Sequence, residues 1–177
     1  MPHAQPRSVL TLGEDLPARY AAVRRLSQAL AAPLSDADAT IQSMEDASPA
    51  KWHLAHTTWF WETFLLRDHA EGYALYDENW PFVFNSYYEA EGERIARFSR
   101  GMLSRPTLDE IRAWRAHVDA AMAPLFAREE LAPLIELGIS HEQQHQDQHT
   151  AGDHLDSAGI GQMLPFGADG PKEHLGQ

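Results

Sequence analysis

The chain has 177 residues, with 14 Lys plus Arg against 26 Asp plus Glu, ten His and no Cys. That length gives one domain with room for a real core, and a net charge of −12 argues against a nucleic-acid partner, because a phosphate backbone would be repelled. Without cysteine there are no disulfides, no thiolate-held metal and no cysteine nucleophile, so any metal must be held by nitrogen and oxygen. No apolar run of signal-peptide length opens the chain and no window approaches the roughly twenty apolar residues of a membrane span. No membrane contact is expected, and the cytoplasm is the default location.

Residues 1 to about 13 read as a flexible lead. From Asp15 to Ala32 the spacing of Leu16, Tyr20, Val23, Leu26 and Leu30 predicts a helix, ended by Pro33. Ser35 to Asp46 is acidic and has room for a short helix. Ser48-Pro49 reads as an N-cap followed by proline at the first helical position. The helix it opens, about 49–69, carries Trp52, His56, Trp59, Phe60 and Thr63 on one broad aromatic face, with His53 about sixty degrees off that stripe.

Between about Gly72 and Arg105 the periodicity fades. Tyr73, Tyr76, Trp80, Phe82, Phe84, Tyr87 and Tyr88 crowd a segment that also holds Asn79, Pro81 and Asn85-Ser86, which predicts a long ordered connection packed through its own aromatics. Arg97 and Arg100, three apart, would sit together on its closing turn, where two solvated arginines are the plainer reading. Thr107 and Glu110 form a capping box that opens a third helix through Ile111, Trp114, Val118, Ala121, Met122 and Leu125.

The fourth helix, from about Glu129, leads into His141-Glu142-Gln143-Gln144-His145. Leu134, Leu137, Gly138, His141 and His145 recur at the spacing of one face, so the stripe that faces the core carries both imidazoles inward. Each buried ring nitrogen needs a donor, an acceptor or a metal, and a shared metal would satisfy both rings. Ten histidines also make a chance pair at this spacing common, and two solvated histidines need no explanation. His56 from the second helix becomes a credible third ligand, since a lone core histidine would otherwise be bonded to a neighbour. His149 extends the spacing as a possible fourth ligand, whereas His154 and His174 read as solvated. Six of the eleven glycines fall between Asp147 and Gln177, so the helix is not expected to continue past about Thr150. The bundle then spans 14–150, with an irregular tail over 151–177.

His141-Glu142-x-x-His145 is also the zinc-peptidase pattern, with Glu142 as general base. The longer metzincin form would need glycine at 148 and histidine at 151, where the chain has Gln148 and Ala151. No substrate-aligning strand is evident upstream.

Four blocks in order carry a resemblance: residues 48–62 (SPAKWHLAHTTWFWE), 84–88 (FNSYY), Arg100-Gly101-x-Leu103-Ser104-Arg105-Pro106-Thr107 and residues 141–146 (HEQQHQ). Together they resemble the amino-terminal domain of ergothioneine biosynthesis protein B, the iron-dependent hercynine oxygenase or sulfoxide synthase. The resemblance implies an all-α, DinB-like four-helix bundle with Fe(II) held by His56, His141 and His145. It implies oxygen-dependent C–S bond formation between a cysteine-containing thiol and trimethylhistidine. It further implies Gln144 near the substrate imidazole, and Arg97 with Arg100 on the thiol substrate's carboxylate. Members of that family continue into a carboxy-terminal domain of the formylglycine-generating-enzyme type. The tail here does not follow that pattern and reads as divergent or frame-shifted, so a separate domain or subunit is expected to complete the site and the chain alone to be a poor oxygenase. Two other readings stand beside this one: a stand-alone DinB-like thiol transferase using zinc or nickel, and a non-catalytic bundle with vacant histidines.

Overall fold

The computed structural model describes residues 16–86 and 88–151. The lead over 1–13, the tail beyond Ala151 with His154 and His174, Tyr87 and the side chain of His149 lie outside the described residues. Six α-helices follow in order: α1 (Leu16–Ala31), α2 (Asp36–Thr40), α3 (Ala50–Phe60), α4 (Trp80–Phe84), α5 (Leu108–Met122) and α6 (Ala132–Ala151). α3 runs directly into a π-helical stretch, Trp61–Arg67, so that four long helical elements form the all-α bundle expected from the periodicity. Among the described residues none is long and apolar enough to cross a membrane.

α1 lies along α6, and α3 packs against both α5 and α6. The core between them is built on Trp59, Trp61, Trp114, Ile111, Leu65, Leu66 and Ile135, all essentially without solvent contact. Gly138 on α6 is a packing requirement, since a Cβ there would overlap the Trp61 indole. The close approach of the two helices therefore depends on the missing side chain.

The helix starts follow local chemistry. Thr107 accepts from the backbone N–H of Glu110 and the Glu110 carboxylate accepts from the backbone of Thr107, as predicted. Ser35 and Asp38 make the same reciprocal cap on α2. Ser48 does not cap α3: Pro49 is the N-cap residue, without a side-chain cap, and the Ser48 hydroxyl instead accepts from Arg100 Nη1 at 2.8 Å. A tertiary arginine has outcompeted the local donor.

Two predicted faces are corrected. On α1, Leu26 is 50% exposed, while Arg24 and Ser27 are buried beside Tyr20 and Val23. On α6 the most buried apolar residues are Ile135 and Ile139, with Leu134 and Leu137 only packed against the margin. In both cases the helix has rotated to bury polar groups that find partners in the bundle. The long connection is ordered, but it contains α4 and two 3₁₀ turns, Glu89–Glu91 and Arg97–Met102. Its aromatics divide, with Trp80 and Phe84 packing on Trp114 and Phe82 and Tyr76 facing outward. Its start is pinned by the buried Glu62, whose carboxylate accepts from the Tyr73 hydroxyl at 2.7 Å and the Tyr76 backbone N–H at 2.9 Å.

Candidate metal centre

α3 presents Trp52, His56 and Trp59 at helical spacing, and the three rings stack. The His56 imidazole lies 4.5 Å from Trp52 and 5.3 Å from Trp59, centroid to centroid, with 14° between planes in each case. Held between two indoles, His56 has little rotational freedom. Its Nδ1 is 2.7 Å from the Phe84 carbonyl oxygen. A carbonyl can only accept, so Nδ1 carries the proton and Nε2 keeps its lone pair.

His141 and His145 arrive one turn apart on α6, and both are buried. Their Nε2 atoms are 3.2 Å apart. Two nitrogens each about 2.1 Å from one ion, at angles between octahedral and tetrahedral, are separated by roughly 3.0–3.4 Å. His56, His141 and His145 each offer a ligand atom, and the three lie within 4.8 Å of one another. Among the described residues His141 Nδ1, the ring nitrogen that does not face His145, has no hydrogen-bond partner.

The electrostatics favour neutral rings. Burial lowers the pKa of His141 to about 4. Burial and the neighbouring His141 hold His56 well below the usual imidazole range, against the opposing pull of the Phe84 carbonyl. His145 is lowered in the same direction by burial and then by His141, His56, His53 and Arg100. Metal binding requires deprotonated imidazole, so the donor set fits a borderline cation such as Fe(II), Zn(II) or Ni(II).

Glu142 does not act with these rings. One residue along the helix is about 100° around its axis, and the carboxylate points into a buried ionic knot. Its Oε1 accepts from Ser27 Oγ at 2.6 Å and Arg115 Nη2 at 2.8 Å. Its Oε2 accepts from Trp61 Nε1 at 2.9 Å and Arg24 Nη1 at 3.2 Å. Burial would raise its pKa, but Arg24 and Arg115 outweigh that and hold the carboxyl well below the carboxylate range. A base so depressed and so fully engaged cannot activate water, and the peptidase reading is set aside on that ground.

The other predicted residues take different places. Arg100 is buried, with its guanidinium 3.4 Å over the Trp52 ring and its Nη2 donating to Ser86 Oγ at 3.2 Å. It extends the stack Trp59–His56–Trp52 by a cation. Arg97 shares the 3₁₀ turn and is half-buried, donating to the Asp46 carbonyl at 3.1 Å. The two arginines are thus neighbours in sequence that face different surroundings. Gln144 is half-buried on α6, beside His145.

Sequence reasoning missed His53, whose Nδ1 is 2.8 Å from His145 Nδ1, and the knot formed by Arg24, Ser27, Arg115 and Glu142. The signal for the knot lay in the spacing of Tyr20, Arg24 and Ser27, which continues the α1 face more regularly than Leu26 does.

No curated protein matches the chain. The sequence profile of the DinB superfamily matches residues 19–155, a span that contains every element of the bundle from the first turn of α1 onward. The chain belongs to the DinB superfamily, with three buried imidazoles from α3 and α6 placed where they can hold a metal ion.

Proposed function

We propose that the chain is the metal-binding domain of an ergothioneine-pathway oxygenase, joining a cysteine thiol to trimethylhistidine. The observation that carries this reading is the placement of His56, His141 and His145 within 4.8 Å, inside the same motif blocks that resemble the hercynine oxygenases. In the balanced reaction a C–S bond forms, the thiol S–H and a ring C–H are lost, one atom of O₂ ends on sulfur as the sulfoxide and the other in water.

Fe(II), when bound, supplies the redox chemistry of that step and keeps coordination positions open beside three protein ligands. The chain's own residues do the rest. Trp52 and Trp59 fix the plane of His56, and burial keeps the ligand rings unprotonated. Arg100, held against Trp52, anchors the thiol substrate's carboxylate, a role suited to a planar guanidinium. Arg97 assists from farther out, and Gln144 contacts the imidazole of trimethylhistidine. A carboxy-terminal domain or separate subunit closes the site over both substrates and excludes water.

The test begins with anaerobic Fe(II) titration of the chain, expected to reach one ion per molecule. Oxygen, trimethylhistidine and a cysteine thiol are then added and the products analysed by mass. No uptake of Fe(II), Zn(II) or Ni(II) overturns the reading at its base. Uptake without sulfoxide, even when a formylglycine-generating-enzyme-type domain is supplied, overturns the oxygenase assignment. Sulfoxide from this chain alone would remove the second domain from the scheme.

A second reading, a metal-dependent thiol transferase, is favoured by the donor set itself. Three neutral imidazoles suit zinc or nickel as well as iron. Thiol-conjugate formation with Zn(II) or Ni(II) and no oxygen consumption would select it.

A further inference from the structure

We infer that His53 is a positioning residue for the metal centre: its Nδ1 accepts the proton of His145 Nδ1 and so fixes the tautomer in which His145 offers Nε2 to the ion. The inference rests on the reading of His145 as a metal ligand.

The two Nδ1 atoms are 2.8 Å apart and both side chains are buried. At that distance one nitrogen donates and the other accepts. His145 Nε2 faces His141 Nε2 at 3.2 Å, on the side where the three ligands converge. A neutral His145 ring that gives the Nε2 lone pair to a metal must carry its proton on Nδ1. The bond therefore runs from His145 Nδ1–H to the His53 lone pair. His53 itself stands behind His145, and the group of mutually close ligand atoms comprises His56, His141 and His145 without it.

The arrangement parallels that of His56, whose Nδ1–H goes to the Phe84 carbonyl. Two of the three ligands thus have an outer acceptor, one from the backbone and one from a side chain. Such acceptors orient the ring and raise its basicity, and losing one typically costs ten- to a hundredfold in metal affinity. α3 therefore contributes twice to the centre, with His56 as ligand and His53, three residues earlier, as the group that sets a ligand on α6.

The role can be separated from packing. An asparagine Oδ1 stands one bond beyond Cγ, as the histidine Nδ1 does, so His53→Asn keeps the acceptor. His53→Phe keeps the ring and removes the acceptor, and a cavity of about 20 Å³ lined by Ser27, His53, Thr57, His145 and Gln146 gives it room. Zn(II) affinity of the full chain is measured by competition with a chromophoric chelator, with circular dichroism as the check on folding. His53→Phe is expected to bind about ten- to a hundredfold more weakly than the native chain, and His53→Asn to recover most of that loss. In Zn(II)-loaded protein, ¹⁵N NMR of His145 is expected to show the proton on Nδ1 and the metal on Nε2.

Native-like affinity in His53→Phe overturns the role. Equal weakness in the two variants reduces His53 to packing and overturns it too, as does Zn(II)-loaded His145 with its proton on Nε2. A native chain that takes up no metal fails earlier and sinks the centre itself along with this role.

Discussion

α6 carries two buried polar clusters side by side, and they are built on opposite principles. Around Glu142, both carboxylate oxygens are met by donors from Arg24, Ser27, Trp61 and Arg115. Arg115 also reaches the Leu54 carbonyl at 3.0 Å and the hydroxyls of Thr57 and Thr58 at 3.1 Å. Around His141, by contrast, one ring nitrogen has no partner among the described residues and two others face each other with only 3.2 Å between them. Apart from Arg115 Nε, for which the described residues offer no partner, the donors and acceptors of the first cluster meet one another, and such a cluster holds a fold together. A cluster whose lone pairs converge is arranged for something that is not protein. The first ties α1, α3, α5 and α6 to one another, and that rigid frame lets the second keep its geometry.

The sharpest break between the two comes from removing a ligand. His141→Ala is expected to abolish Fe(II), Zn(II) and Ni(II) uptake, a loss larger than the roughly ten- to hundredfold that removing an outer partner of a ligand costs, while the bundle stays folded by circular dichroism. Unchanged metal binding would mean that the convergence has no function.

Glu142→Gln attacks the other cluster. It leaves Arg115 buried without the charge that balances it and Arg24 with Asp119 alone, and breaking a buried pair from one side costs about 3–5 kcal/mol. Urea unfolding is expected to show a loss of that order. A stable variant that had lost only catalytic activity would return Glu142 to the role of a base.

The two clusters should also fail at different pH. In metal-free protein the folded His141 has its pKa lowered to about 4, against an unfolded value near 6.5. Between those values the unfolded chain binds more protons. The contribution of His141 to stability is therefore complete above about pH 6.5 and is lost as pH falls toward 4, by roughly 3 kcal/mol. His56 and His145 shift in the same direction. Glu142, held ionised, contributes above the unfolded carboxylate pKa near 4.3, and that contribution is lost only in stronger acid. Urea midpoints of chelator-treated protein should fall first across pH 6.5 to 4, and a flat profile over that window would contradict the burial of neutral imidazoles.

The smallest effect expected is that of Gly138→Ala. A methyl group at 138 meets the Trp61 ring, whose indole N–H donates to Glu142. Overpacking there should cost about 1–3 kcal/mol, more than the roughly 1 kcal/mol of helix propensity gained. A stabilised variant in thermal melts would show that the helices can separate freely at this point.

Much of this was legible from residue order alone. Hydrophobic periodicity marked the long helices, because a helix must bury one face whatever it packs against. The capping box at Thr107 depends on atoms three residues apart, and the structure reproduces it. His56, His141 and His145 could be named because four-residue spacing and an aromatic stripe put imidazoles on inward faces.

What residue order did not decide was which polar groups meet. Leu26 looked like core, yet α1 turns Arg24 inward in its place, since that guanidinium meets the carboxylates of Asp119 on α5 and Glu142 on α6. Ser48 had the chemistry of a cap, yet its hydroxyl receives Arg100 from 52 residues away. His53 lay off the aromatic stripe, and only the packing of α3 on α6 brought it to His145. Periodicity and caps are short-range properties that a sequence carries in itself, whereas the pairing of buried charges and rings depends on helix rotation, which only the assembled bundle sets.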